Sequence, residues 1–403
     1  MAIGSGVLIH AGRVFTGDAT AEVLRDAWVR VEQDRIVEIG SSEPSAAGGF
    51  ERIEAPDATL LPGLIDCHVH LALGGGPDWL TDAQESYAMA CWRAAARARA
   101  TLMAGITSIR TLGGRDGMDP ALRDAQRSGL VESPRIVPAN LAICMTGGHG
   151  RWIGREADGA DDVRKAVREQ LKAGADCIKL IATGGVMTPG VQPGAQQLTD
   201  DELRAGIEEA HKAGVRTAAH AHGSEGVKAA VLAGVDSVEH GSYLTDDIIS
   251  LMKERGTFYS ATLCSAQGFL DAPEGSVAEW AMEKSARVRV ALDDSFRRAS
   301  AAGVRLVLGT DAGTPYNLHS NNAREMALMV KLGTRPLDAL QAGTSNGAEL
   351  LGLADLGRVE VGKLADLVLC AGDPTREIDV LCEKANIRAV IQSGRVVVRS
   401  QDA

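Results

Sequence analysis

Two histidines, His68 and His70, stand one residue apart at the end of an apolar run in GLIDCHVHLALGGG (residues 63–76), although the chain has only 9 histidines. Side chains at positions i and i+2 of a β-strand point to the same face, so the two imidazoles converge if this run is a strand. A glycine-rich segment follows directly. Because neutral imidazoles bind divalent cations, this pattern is typical of a metal site.

Several later apolar runs also end in residues that could bind a metal. Lys179 follows CI, His220 and His222 lie in RTAAHAH, His240 ends SVEH, and Asp311 ends RLVLGTD, each shortly before a glycine. Imidazoles and carboxylates are ligands of a borderline-soft divalent ion such as zinc, which keeps one position open for water in catalytic sites. The sequence therefore predicts a metal centre assembled from five separate runs.

The elements that would position these residues alternate between short apolar runs and Ala-rich amphipathic stretches, which is typical of β/α units with a parallel sheet. Eight candidate strands can be counted: LPGLIDCHV, GITSIRTLG, RIVPANLAIC, CIKLIATGG, RTAAHAH, SVEHG, FYSATLC and RLVLGTD. Eight such units predict an α/β fold, namely a (β/α)8 TIM barrel. In such barrels the active site lies at the carboxyl ends of the strands. In addition, TDDE at residues 199–202 predicts a capping box before a helix.

The two ends of the chain lack helical periodicity and are rich in β-branched residues between Gly and Asp turns. We expect them to pair into one small β-sandwich domain, formed by residues 1–60 and 354–403. Residues 61–353 would then form the barrel.

Charge and composition exclude several classes of function. The formal net charge is -11, and the sequence has no basic stripe that could replace phosphate counterions. Nucleic acid is therefore not an expected partner. No run reaches the length of a membrane span, and no secretory leader is recognisable. Seven scattered cysteines without C-x-x-C spacing argue against a disulfide framework and a cysteine zinc site. We therefore expect a cytoplasmic protein without a membrane partner, and we expect it to form a homo-oligomer.

The motifs resemble those of the amidohydrolase superfamily, over essentially the whole chain. The resemblance rests on LLPGLIDCHVH, on the order H-x-H, Lys, His, His, Asp, and on the ending GRVEVGKLADLVL. It is most specific for the imidazolonepropionase-like dipeptidases and arginine carboxypeptidases, through ATGGVMT, AAHAHG and SVEHGSYL. The resemblance implies two divalent ions, expected to be Zn, that share a hydroxide. The implied ligands are His68, His70, Lys179, His220, His240 and Asp311.

Lys179 raises a chemical difficulty, because an ammonium group has no lone pair for a cation. The resemblance implies that the amine reacts with carbon dioxide and that the resulting carbamate bridges both metals. The alternative is a structural ion pair with Asp176 or another acid. The resemblance also implies that Asp311 accepts the proton of the nucleophile and passes it to the departing amine. Spacing alone does not decide between His220 and His222 as ligand, and the role of His222 stays open.

Residues that contact the substrate are expected in the loops after the strands. His149, in MTGGHG, is implied by the resemblance to bind the substrate carbonyl or to stabilise the oxyanion. Arg151, Tyr243 and His319 are further predicted substrate contacts, and an arginine could bind a substrate carboxylate in bidentate fashion. The remaining loop candidates are Trp152, Arg155, Gln192, Tyr316 and Asn322.

The sequence thus predicts a metal-dependent hydrolase that cleaves an amide C–N bond, acting on dipeptides or N-acyl amino acids. The alternative substrate class is small xenobiotic amides, ureas or carbamates, including mycotoxins. A deaminase or cyclic-amide hydrolase is disfavoured by Lys179, because deaminases of this superfamily generally use one metal and lack the bridging lysine. A nonenzymatic scaffold is disfavoured by the complete ligand set.

Overall fold

The computed structural model describes residues 6–44, 49–77, 82 and 85–400. Its strands are β1 Gly6–Phe15, β2 Val23–Glu32, β3 Arg35–Gly40, β4 Glu51–Pro62, β5 Leu64–Val69, β6 Ile106–Thr111, β7 Arg135–Pro138, β8 Ala142–Cys144, β9 Gly154–Glu156, β10 Cys177–Ile181, β11 Arg216–Ala221, β12 Ser237–His240, β13 Phe258–Ser260, β14 Leu367–Ala371, β15 Ile387–Gln392 and β16 Arg395–Arg399.

The helices alternate with the central strands. They are α1 Tyr87–Met103, α2 Met118–Arg127, α3 Ala160–Lys172, α4 Asp200–Lys212, α5 Ser224–Leu232, α6 Asp246–Arg255, α7 Leu263–Asp271, α8 Glu279–Ala302, α9 Arg324–Lys331, α10 Pro336–Ala342 and α11 Ser345–Leu350. The predicted capping box is present at the start of α4, where the Thr199 side chain and Glu202 cap each other's backbone N–H groups. Within the described ranges, no helix is both long and apolar enough to cross a bilayer.

Strands from both ends of the chain form one seven-stranded sheet, which we call the terminal sheet, in the order β16-β15-β14-β4-β1-β2-β3. Within it β1 and β4 are parallel and the other neighbours are antiparallel. The sheet has an apolar cluster of its own that includes Ile9, Val29 and Leu367. The boundary at residue 60 remains a prediction, since β4 runs through it without interruption.

The central strands form two parallel ladders, β5-β6-β7 and β13-β12-β11-β10-β8-β9. The third predicted strand is interrupted between β7 and β8, where Asn140 has a left-handed φ of 62°. Its first half therefore pairs with β6, and its second half pairs with β10.

The eighth predicted strand, residues 305–311, forms one isolated bridge, between Leu306 and Tyr259, and Ala312 directly after it bridges Val69. Its backbone nevertheless hydrogen-bonds on both sides. The N–H of Val307 donates to Tyr259 O of β13 (3.0 Å), and the N–H of Asp311 donates to His68 O of β5 (2.8 Å). The segment thus lies between the last and the first strand, which is where the eighth strand of a barrel must lie.

Candidate metal centre and active site

The first group of converging side chains consists of His68, His70 and Asp311, which lie at the carboxyl ends of β5 and of the eighth segment. The two imidazole Nε2 atoms are 3.3 Å apart. Asp311 Oδ1 lies 3.4 Å from Nε2 of His68 and 3.1 Å from Nε2 of His70. All three side chains are buried.

The ring N–H groups of the two histidines point away from Asp311 and are hydrogen-bonded to other residues. The Nδ1–H of His70 donates to Gly113 O (2.9 Å), and a carbonyl oxygen can only accept. The Nδ1–H of His68 donates to the carboxylate of Glu239 (2.8 Å). Burial, followed by the charge of Lys179, lowers the pKa of His68 to about 4. In their neutral forms both Nε2 atoms are therefore bare acceptors that face a carboxylate oxygen, and a cation between the three would remove their repulsion.

The second group consists of His220 and His222 of the β11 end and His240 of β12, whose ligand atoms lie within 4.8 Å of one another. Nδ1 of His222 bonds Ser242 Oγ, and Nδ1 of His240 bonds Thr262 Oγ1, both at 2.7 Å, so the Nε2 atoms stay available. Burial lowers the pKa of His220 and His240 well below the usual range and that of His222 to about 4. Neutral imidazoles are the form that binds a metal.

Lys179 of β10 is 2% exposed, and its Nζ has no hydrogen-bond partner among the described residues. Burial lowers the pKa of Lys179 to about 8, which makes the neutral amine with its lone pair more accessible. The alternative pairing with Asp176 is wrong, because Asp176 bonds the Arg123 guanidinium at 2.8 Å. Nε2 of His220 is a second buried atom without a partner. These unsatisfied atoms and the donor set fit a divalent metal centre.

Two residues of the site have backbones that L-residues rarely adopt. The φ angles are 74° for His240 and 58° for Asp311. Strain of this kind costs on the order of 1–3 kcal/mol and clusters at functional sites. It also interrupts the side-chain alternation of a strand, so that Glu239 and His240, although consecutive, both face the barrel interior.

A cavity adjoins the two groups. Its lining includes the six predicted metal ligands and His222. Its wall is largely apolar and includes Trp152, Ile153, Val186, Met187, Phe269 and Leu292. Among the described residues that line the cavity, Lys179 is the one lysine, and no arginine occurs.

His149 also lines the cavity, with its ring centroid 4.4 Å from that of His220. Nδ1 of its imidazole bonds Thr188 Oγ1 at 2.7 Å. Burial, followed by the charge of His222, lowers the pKa of His149 to about 3, so the ring is neutral. The ring thus lies inside the cavity, beside the second group.

Comparison with known proteins agrees with this geometry. Residues 59–397 match the Amidohydrolase family. The chain belongs to this family.

Ochratoxinase from Aspergillus niger is 32% identical over 438 aligned positions, which cover 96% of this chain and 86% of that protein. The crystal structure of a Xaa-Pro dipeptidase with bound methionine in its active site is 34% identical and has a TM-score of 0.90, covering 97% of this chain and 99% of that one. A prolidase complexed with N-methylphosphonate-L-proline is 30% identical with a TM-score of 0.91, covering 98% and 100%.

These matches confirm the predicted barrel with a β-rich part from both termini. They also confirm that this amidohydrolase acts on carbon–nitrogen bonds. Named relatives exist both for the dipeptidase prediction and for the xenobiotic amide alternative. The family and the His/Asp groups together indicate the use of a divalent metal.

The other predicted substrate contacts of this amidohydrolase lie outside the cavity lining. Arg151 is exposed. Tyr243 is half-buried, and its backbone N–H donates to His222 O (2.9 Å). The ring of His319 is buried and bonds Leu73 O at 2.7 Å, which supports the loop after β5.

Of the further loop candidates, one lines the cavity and the others do not. Trp152 lines the cavity. Arg155 is paired with Asp162 and Glu169. Gln192 is exposed and Tyr316 is half-buried. The amide of Asn322 donates to Asp66 (2.6 Å) beneath the site.

The most important residues that sequence reasoning missed are Glu239 and Arg110, both fully buried. Glu239 accepts from Arg110 Nη2 (2.8 Å) as well as from His68. Arg110 in turn donates to Cys67 O (2.7 Å). A glutamate inside an apolar strand and next to a predicted ligand was the available signal in SVEHG.

Proposed function

We propose that this amidohydrolase hydrolyses amide bonds at a binuclear metal centre, with Zn as the expected ion. In this proposal His68, His70 and Asp311 hold one ion, His220 and His240 hold the other, and Lys179 bridges them as a carbamate. Support comes from the two converging donor groups and from Nζ of Lys179, which is buried and unpartnered among the described residues and lines the same cavity.

When bound, two such ions would supply a hydroxide near neutral pH and polarise the carbonyl under attack. Asp311 is the general base that takes the proton of the nucleophile and then gives it to the departing nitrogen. His149 stabilises the negative charge that develops on the carbonyl oxygen. His222 faces the same space, with its Nδ1 committed to Ser242, and orients either the second ion or the substrate.

For the substrate we propose dipeptides or N-acyl amino acids that carry a bulky apolar group. The apolar wall of the cavity supports this, since burial of an apolar side chain there is favourable. The similarity to a Xaa-Pro dipeptidase and a prolidase supports the peptide class.

A second candidate is a small xenobiotic amide, a class that the similarity to ochratoxinase supports. The specific observation in its favour is that no arginine lines the described cavity, so a substrate without a free carboxylate also fits. A panel of dipeptides, N-acyl amino acids and aryl amides distinguishes the two by kcat/KM.

We further propose a cytoplasmic homo-oligomer that does not bind nucleic acid. The seven cysteines are all free, as is usual in a reducing compartment. Trp92 (71% exposed) and Met89 (48% exposed) on α1 offer an apolar contact for a second subunit. The acidic net charge of -11 opposes binding to phosphates. Light scattering with size-exclusion chromatography tests the assembly.

The decisive experiment compares the wild type with Lys179→Met and with the exposed control Lys172→Met. We expect two metal ions per chain and amide hydrolysis in the wild type and in the control, and loss of metal and of activity in Lys179→Met. Bound metal is measured by mass spectrometry, and a carbamate by carbon-13 resonance. If Lys179→Met keeps both ions and full activity, the bridging role is wrong.

A further inference from the structure

A segment after β10 covers one side of the cavity. We call residues 184–197, GGVMTPGVQPGAQQ, the strap. Its two ends are joined, because the N–H of Gly184 donates to Ala195 O and the N–H of Gln197 donates to Ala182 O, both at 2.8 Å. Its middle has no regular secondary structure, so its position depends on contacts with other elements.

The strongest of these contacts comes from Lys284 of α8, which is only 7% exposed. Its ammonium donates to Thr188 O (2.9 Å) and to Val191 O (2.5 Å), and it lies 5.0 Å from the ring centroid of Trp280. No carboxylate pairs with Lys284 in the part of the chain that the structure describes. A buried cation needs such acceptors, so the two strap carbonyls and the ammonium stabilise each other.

The strap also contacts His149 at three points. Thr188 Oγ1 bonds Nδ1 of the ring, and Gln197 Oε1 accepts the backbone N–H at 2.9 Å. Gly185 lies so close that a Cβ at this position would be 2.4 Å from Nε2 of His149. The ring is therefore enclosed by the strap, and its orientation follows the position of the strap.

The same segment supplies part of the cavity wall. Met187 packs with Phe269 and Ala281 in a small apolar cluster, against which Val186 and Trp152 lie. Displacement of the strap would thus change both the orientation of His149 and the apolar wall.

We propose that Lys284 is a positioning residue, which fixes the strap through two backbone carbonyls and thereby orients His149 toward the substrate carbonyl. The inference rests on the proposed function of His149, but the fixation of the strap does not. Lys284 itself does not line the cavity and touches no predicted metal ligand in the structure.

The test is Lys284→Met, which keeps the length of the side chain and removes its donors, beside the control Lys172→Met. We expect kcat to fall about tenfold or more, because a displaced catalytic group loses its alignment, with metal content unchanged. Thermolysin, which cuts before apolar residues such as Val186 and Met187, should cleave the strap faster in Lys284→Met. Trypsin cannot cut within the strap, because the strap contains no Lys or Arg. Tryptic cleavage therefore reports on the rest of the chain and should be unchanged.

A second variant, Thr188→Val, removes the hydroxyl that bonds His149 and leaves the backbone carbonyls in place. It should lower kcat without speeding amide hydrogen exchange in the strap, which is measured here because the substitution itself adds a site for thermolysin. If Lys284→Met lowers thermal stability alone, with unchanged kcat and unchanged cleavage of the strap, the proposal is overturned. If the wild type itself hydrolyses no amide, the proposed function fails, while the proteolysis comparison still decides whether Lys284 fixes the strap.

Discussion

Glu239 illustrates how a single buried residue determines the form of its neighbours. One carboxylate oxygen accepts from His68 and the other from Arg110 and Ser237. Burial opposes ionisation, but Arg110 and His68 together lower the pKa of Glu239 well below its usual value. An ionised Glu239 keeps the proton of His68 on Nδ1 and leaves Nε2 free for a ligand.

Glu239→Gln should therefore weaken the first metal position. We expect metal affinity to fall roughly 10- to 100-fold, as for other partners of metal-binding histidines. Because Arg110 loses its counter-charge, the free energy of unfolding should also fall by about 3 kcal/mol. Chelator competition and urea unfolding measure the two effects. The exposed control Glu38→Gln, which removes a partner of Arg30, should change stability by less than about 1 kcal/mol. Equal metal affinity in Glu239→Gln and the wild type would contradict this role.

At the scale of elements, the start of α7 links α9 to the site. Glu325 of α9 accepts the N–H groups of Leu263 (2.8 Å) and Cys264 (2.7 Å), the first residues of α7. The residue before them, Thr262, has a φ of 55° and bonds Nδ1 of His240. A carboxylate at a helix N-terminus satisfies donors that have no partner within the helix.

This cap predicts a pH dependence of stability. Burial raises the pKa of Glu325 from 4.5 to about 7, against the opposing effect of the Cys264 and Leu263 N–H groups. Between these values the folded chain binds more protons than the unfolded chain, so the contribution of Glu325 to stability falls as pH rises, by roughly 3 kcal/mol in total. Relative to the wild type, Glu325→Gln should therefore gain stability from pH 5 to pH 8. Urea unfolding at intervals of pH measures the difference, and curves that run parallel would refute the prediction.

At the scale of the whole molecule, an ion pair between the half-buried Arg135 and the buried Asp366 joins the barrel to the terminal sheet. The guanidinium of Arg135, at the start of β7, bonds both carboxylate oxygens of Asp366, which is 3% exposed and precedes β14. Asp366 also accepts the N–H of Ser393 (2.8 Å), between β15 and β16. Both parts of the molecule therefore meet at this carboxylate.

Arg135→Met leaves the Asp366 carboxylate buried without its cation, which should lower the free energy of unfolding by about 3 kcal/mol. The rate per folded molecule should not change, because Arg135 lies at the amino end of its strand and the site lies at the carboxyl ends. Thermal unfolding and kcat are the two measurements. The control Asp57→Asn neutralises an exposed carboxylate that pairs with Arg388 and should cost less than about 1 kcal/mol. A loss of stability in the control as large as that in Arg135→Met would contradict the argument.

Local residue spacing was sufficient to predict the number of barrel units and to predict which side chains converge. His68 and His70 share a face because a strand has a period of two, and the residues after β10, β11 and β12 meet because parallel strands end at one edge. The interruption of the third strand at Asn140 was not predictable, since a left-handed backbone at one residue leaves the apolar pattern intact.

The sequence by itself therefore determined the fold class, the type of reaction and the set of side chains predicted to bind metal, all of which depend on local periodicity and residue chemistry. Only the tertiary structure decided which groups support them. His68 and Glu239 are separated by 171 positions, and Lys284 and Thr188 by 96. Contacts of this kind arise from the packing of one element against another, and no local pattern encodes them. The apolar wall of the cavity, and hence the substrate it accepts, was decided in the same way.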